Sequence, residues 1–183
     1  MPDEIIDIFD ENNKHLNIQK NKSEAHRDGL WHRSAQVWIY NPNGEIMLQL
    51  RGKDKALYPG MWDISAAGHV AAGEEPLTSA VREIEEEIGL KIKEEDLAFF
   101  KIEKFSRVYK EIKNNEFCYA YFYRFDGDIK GLKLQAEEVD KVVFLPIDKI
   151  EKDLEKNPEK YVPHGKYWYE VFEEVKKKII DNK

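Results

Sequence analysis

The chain has 183 residues, one cysteine and a formal net charge of −7, with a pI near 5.4; this length suits one well-filled domain and is short for two. The acidic balance lacks the basic face with which nucleic-acid binders neutralise phosphate backbones, so no nucleic acid polymer is expected as a partner. No apolar run approaches a membrane span, the acidic amino terminus does not read as a signal peptide, and lone Cys118 allows no intrachain disulfide, so a cytoplasmic protein with no membrane partner is expected.

Taken in chain order, residues 4–9 (Glu-Ile-Ile-Asp-Ile-Phe) alternate like a short strand, and Asp10–Lys14 reads as a polar turn. Ser34–Tyr40 and Glu45–Arg51 flank Asn41-Pro42-Asn43-Gly44, a hairpin turn signal. Glu75-Pro76 then opens a helix, because proline is tolerated in the first turn, and Gly89 closes it as a left-handed cap. Leu77, Ala80, Val81, Ile84 and Ile88 form its apolar stripe. Phe99–Phe105 and Glu116–Phe125 read as aromatic-rich strands, with Cys118 as a buried packing residue, and Lys141–Pro146 reads as a further strand. Helices over Asp148–Lys156 and Lys166–Asp181 end the chain, and Trp168, Phe172, Val175 and Ile179 give the last one a core-facing stripe. Strands interleaved with few helices predict an α/β fold with a mixed β-sheet sandwiched between α-helices. With no repeat or low-complexity linker, a single domain is expected: an N-terminal strand-and-turn extension over 1–30, a core over 31–165 and a C-terminal helix over 166–183.

The helix at 76–88 carries the chemistry. At about 100° per residue, Glu83, Glu86 and Glu87 share one arc beside the apolar stripe. Like charges at this spacing cost roughly 0.2–0.5 kcal/mol per pair, and Glu86 and Glu87 sit near the negative end of the helix dipole. A bound divalent cation reverses both penalties, and hard oxygen donors suit Mg²⁺, with Mn²⁺ as a substitute. Arg82, one turn before Glu86, can hold a glutamate through a charge-assisted fork.

Gly68, Glu74, Arg82, Glu83, Ile84, Glu86, Glu87, Gly89 and Leu90 together resemble the Nudix box, G-x5-E-x7-R-E-U-x-E-E-x-G-U with U aliphatic. Seven fixed residues at this spacing arise by chance at about one start in 10⁸, so the chain is identified as similar to Nudix hydrolases. The likeness extends to His32–Tyr40, Leu48–Arg51, Lys55, Pro59–Trp62, Ala67–His69 and Asn115–Cys118, which resemble the isopentenyl diphosphate isomerase branch. That branch uses residues matching His32, His69 and Glu116 around a metal, and basic residues matching Arg51 and Lys55 for diphosphate. Two departures point away from isomerisation. Ala67 stands where the isomerases place a catalytic cysteine, and a methyl group cannot transfer a proton. Asn114 replaces a second metal-binding carboxylate.

The resemblance implies a Nudix fold and Mg²⁺-dependent cleavage of a diphosphate linkage in a nucleoside diphosphate derivative or a related organic diphosphate. It implies metal binding by Glu83, Glu86, Glu87, the Gly68 backbone and His69. Catalytic roles fall to Glu83, Glu86, Glu116 and Arg82, with the general base either a box glutamate or Glu116. Substrate contacts fall to Arg51, Lys55 and His32. Read alone, His32 is a packed or surface histidine, Arg51 and Lys55 are solvated charges, and Glu116 lines a strand edge. Tyr58, Trp62 and Tyr161 fit base stacking and hydrophobic packing equally well. The alternatives are an isomerase with an unusual acid and a non-catalytic nucleotide-binding module. A homodimer is the default for a small enzyme.

Overall fold

The computed structural model describes residues 3–181. Strands β1 (Ile5–Phe9) and β2 (His15–Asn21) pair antiparallel. A reciprocal capping box between Asn21 and Glu24 opens helix α1 (Lys22–Asp28), and Gly29, at φ +67°, closes it. The segment read as strand and turn therefore carries a second strand and a helix as well. Strand β3 (Trp31–Tyr40) follows and is the axis of a nine-stranded mixed sheet. Its long run of buried positions fits a strand covered on both faces.

After β3 come β4 (Glu45–Arg51), β5 (Trp62–Asp63), β6 (Ala66–His69), α2 (Pro76–Ile88), β7 (Ala98–Tyr109), β8 (Ile112–Arg124), β9 (Val139–Pro146), α3 (Ile147–Lys156) and α4 (Tyr167–Asp181). β3 runs parallel to β8 from Trp31↔Asn115 to Tyr40↔Arg124. On its other side it runs antiparallel to β6 from Ser34↔His69 to Val37↔Ala66. The expected turn at Asn41–Gly44 forms, with Gly44 at φ +78°. The extended hairpin does not: only Tyr40↔Ile46 joins β3 to β4. β3 gives that edge to β6, while β4 pairs along its whole length with β9.

Alternation along β3 builds two cores. Trp38 faces α3 and α4, packing with Leu48, Trp168, Phe172 and Val175. Val37 and Ile39 face α2, packing with Met47, Ala80, Ile84 and Ile88. Val81, expected in the stripe, is only half-buried, whereas Glu87 is 3% exposed. The helix is rolled so that its glutamate side meets β6. A third small cluster, Ile6, Ile8 and Ala25 against Leu30, ties β1 and α1 to this edge. No helix among the described residues is long and apolar enough to cross a membrane.

Gly89 caps α2 at φ +73°, and a Cβ there would lie 2.9 Å from the Lys133 carbonyl oxygen. Gly89→Ala is expected to cost about 1–2 kcal/mol through the left-handed backbone alone. A thermal melt followed by circular dichroism checks this, and an unchanged midpoint would show that the cap relaxes.

Candidate active site

β6 passes directly against the side of α2. The approach requires glycine at 68, because a Cβ there would overlap the Glu83 carboxyl group. Arg82 organises the acidic side chains around this point. Its NH1 donates to Glu83 at 2.6 Å and to Glu86 at 3.3 Å, and its NH2 donates to Glu74 at 3.1 Å and to the His69 carbonyl at 3.1 Å. Ser79 holds Glu74 from below through a 2.5 Å hydrogen bond. Glu87 accepts from the Ala67 amide at 3.1 Å and from Gln49 at 3.4 Å.

The electrostatics show what this arrangement lacks. Burial raises Glu83 to about 7, with Arg82 opposing the rise and Glu86 and Glu4 adding to it. Burial raises Glu87 to about 8, opposed by Lys55 and reinforced by Glu83. Glu4, on the segment leading into β1, is also raised, first by burial, and its carboxylate reaches 4.0 Å from Arg82. Several carboxylates thus crowd one guanidinium, and two of them are held as half-protonated or neutral acids for want of positive charge. A hard divalent cation fits this donor set.

A second donor set adjoins the first. The ligating nitrogens of His26, His32 and His69 lie within 4.8 Å of one another. His69 Nε2 is 3.2 Å from His26 Nε2. Glu116 Oε1 stands 3.8 Å from His32 Nε2 and 3.7 Å from His69 Nε2. Strand pairing brings them together: His32 is opposite Glu116 in the β3–β8 ladder, and His69 ends β6 opposite Ser34. Burial, and after it the neighbouring His32, hold His26 at about 4 and His69 well below its ordinary value, so both rings are neutral bases. Burial would raise Glu116, but His32 beside it outweighs that and keeps it below the usual carboxylate value. His32 Nδ1 meets the Leu30 carbonyl at 2.9 Å, while its buried Nε2 makes no hydrogen bond among the described residues. Two neutral imidazoles, a third ring with an unbonded nitrogen and an ionised carboxylate fit a transition-metal ion.

The expected site residues fall into three groups. Glu83, Glu86, Glu87, Gly68 and Arg82 converge at the α2–β6 contact. His69 directs its carbonyl there, but its ring joins His32 and Glu116. Arg51 and Lys55 are engaged with acids: Arg51 NH1 meets Asp63 at 2.8 Å, and Lys55 is paired with Glu138. Sequence reading missed His26, Asp63, His164 and Glu138. His26 alone had a legible local setting, since Asn21-x-x-Glu24 and Gly29 bracket a helix.

A family model described as NUDIX domain matches residues 30–165. The chain is 39% identical over 171 residues to Nudix hydrolase 3 of Arabidopsis thaliana, a match covering 90% of this chain and 22% of that protein. The chain therefore spans about a fifth of that relative's length. It is 28% identical over 159 residues to an isopentenyl-diphosphate Delta-isomerase of Serratia proteamaculans, covering 87% of this chain and 86% of that one. Among solved structures, a Deinococcus radiodurans protein matches with a TM-score of 0.68 at 19% identity, over 95% of this chain and 98% of that one, a likeness of fold.

Proposed function

The chain belongs to the Nudix hydrolase family, and from that premise we propose that it is a Mg²⁺-dependent hydrolase of a diphosphate linkage in a nucleoside diphosphate derivative or a related organic diphosphate. The observation that carries this reading is the α2–β6 contact, where half-buried Glu83 against Gly68, buried Glu87 on the Ala67 amide and exposed Glu86 share too little positive charge. A divalent cation held there by Glu83, Glu86 and Glu87 would supply charge neutralisation for phosphate oxygens and a more acidic water.

The chain's own residues do the rest. Arg82 fixes the carboxylates of Glu83 and Glu86 in place, and Glu74 and the His69 carbonyl hold Arg82 in turn. The general base is a box glutamate or Glu116. Attack is in line at phosphorus, so positioning and charge neutralisation carry most of the acceleration.

The histidine set supports a second centre for a metal such as Mn²⁺. His26→Ala is expected to weaken binding there about 100-fold, on the scale by which even residues behind the ligands matter. Titration with Co²⁺, read by its visible absorption, checks this. Equal wild-type and variant curves would remove His26 from the set.

Likeness to an isomerase-named relative and the His–Glu116 cluster favour isomerisation as the second reading. Against it, Ala67 has no proton to give, and Cys118 is fully buried in the core facing α4, with burial pushing its thiol well above the ordinary value. The test is mass-spectrometric product analysis with Mg²⁺ and a panel of nucleotide sugars, dinucleotides, nucleoside triphosphates, coenzyme A and isopentenyl diphosphate. Metal-dependent cleavage of one member is expected. Conversion of isopentenyl to dimethylallyl diphosphate without cleavage would favour the isomerase, and no turnover would favour a binding module. The same reading places the protein in the cytoplasm, where its free thiol would stay reduced, as a homodimer acting on a small molecule.

A further inference from the structure

One buried polar chain lies outside the box and the histidine set. Asp63, on β5, is its centre. Its Oδ2 accepts from Arg51 NH1 at 2.8 Å, and its Oδ1 accepts from His164 Nε2 at 2.7 Å and from the Ile64 amide at 2.8 Å. Arg107 NH2, from β7, approaches His164 Nδ1 at 3.1 Å. A guanidinium can only donate, so Nδ1 accepts, the ring proton sits on Nε2, and His164 is neutral. Burial holds His164 below its ordinary value, opposed by Asp63 and aided to a smaller extent by Arg107 and Arg51. Burial would raise Asp63, but His164 and Arg51 keep it ionised, at about 2. Two arginines are thus joined through one carboxylate and one neutral ring, leaving a net positive charge in a mostly buried cluster.

That charge is not consumed by the protein. Arg107 has no carboxylate within 4.0 Å among the described residues, and its other recorded contact is the Phe105 ring at 4.0 Å. Arg51 spends Nε on the Leu57 carbonyl and NH1 on Asp63, leaving NH2. In the β7–β8 ladder Arg107 stands opposite Asn114 and Phe105 opposite Glu116, so Arg107 shares a face with Glu116. Asn114 is itself 9% exposed, and its Oδ1 is buried without a donor. Open guanidinium N–H groups beside an orphaned acceptor suit a ligand with phosphate oxygens and a hydroxyl group. Arginine, unlike lysine, can grip phosphate through two N–H groups at once.

We propose that Arg51 and Arg107 form a two-guanidinium clamp on the phosphate oxygens of the substrate, with Asp63 and His164 as the positioning residues that hold both arginines. The inference rests on the diphosphate reading above and adds Arg107 to the binding residues. It also explains why Arg51 has a buried acid as partner: the acid aims it.

The test is calorimetric binding of methylenediphosphonate to the full chain with Mg²⁺. Arg107→Gln is expected to weaken binding about 10- to 100-fold, the scale of hydrogen bonds to charged groups. Mn²⁺ binding to the chain as a whole, read by electron paramagnetic resonance, should be unchanged. Asp63→Asn separates positioning from bulk charge, because it makes the cluster more positive. Coulomb attraction alone would then tighten binding, whereas a positioning role predicts weakening of about tenfold. Wild-type affinity in Arg107→Gln, or tighter binding in a folded Asp63→Asn, overturns the clamp and leaves the diphosphate reading standing. Failure of the wild type to bind overturns both. Arg107 lies half-exposed on an edge strand, so its variant decides the matter even if Asp63→Asn does not fold.

Discussion

Glu86→Gln is expected to lower turnover about 10³-fold, equivalent to about 4 kcal/mol of lost transition-state stabilisation, with almost no change in stability. The separation follows from where Glu86 sits. Its side chain is 52% exposed, and its protein partner is Arg82 at 3.3 Å. An exposed pair of this kind contributes about 0–1 kcal/mol to folding, and an amide keeps its shape. The same carboxylate is one of three oxygen donors offered to a divalent cation, and an amide oxygen brings no charge to neutralise it. Glu85→Gln is the internal control. Glu85 is equally exposed and pairs with Lys91, away from the site, so its loss should leave turnover unchanged. Steady-state rates for both variants, on whichever panel member the wild type cleaves, decide the matter. Near-wild-type turnover in Glu86→Gln would sink the metal assignment.

What the sequence made legible was local. Helix α2 was bounded correctly because Pro76 and Gly89 act within one turn, and the convergence of Glu83, Glu86 and Glu87 follows from helical spacing alone. Aromatic and β-branched runs mark strands β7, β8 and β9, although β7 runs past both expected ends, and β8 and β9 begin before the expected starts, at Ile112 and Val139. The losses have a common physical cause. β5 and β6 have two and four residues, too few for a periodicity, and pairing with β4 and β3 defines them. β6 is nonetheless what carries Gly68 to Glu83 and His69 to His26.

Side-chain partners were hidden for the same reason. Arg51 reads as a free surface charge until Asp63, twelve residues on, and His164, a further hundred and one, are folded beside it. His26 lies forty-three residues before its partner His69, on a helix whose capping residues are local but whose contact with β6 is not. The sequence could show which residues carry the chemistry of the box; it could not show which of the remaining polar groups the sheet would bring alongside.

Stability of the metal-free chain is expected to be nearly flat between about pH 4.5 and 6.5 and to fall on the alkaline side. Glu83 and Glu87 have folded values of about 7 and about 8, above the ordinary 4.5. Above pH 4.5 the folded chain therefore holds carboxyl protons that the unfolded chain has lost, and the contribution of these two groups declines until those protons leave near pH 8. The buried histidines act in the opposite sense. His26 titrates at about 4 and His69 well below 6.5, so the unfolded chain binds the extra protons there, and their gain offsets the carboxylate loss up to about pH 6.5. Beyond that point only the carboxylates contribute, and the decline to pH 8 should be about 2 kcal/mol at 1.36 kcal/mol per unit. A divalent cation binds the ionised carboxylates and not the protonated ones, so saturating Mg²⁺ should flatten the alkaline limb. Melts at pH 6.5 and 8, with chelator and with Mg²⁺, test this directly. Equal midpoints at both values in chelator would mean that Glu83 and Glu87 are already ionised at pH 6.5, and that the fold itself tolerates the charge assigned here to the metal.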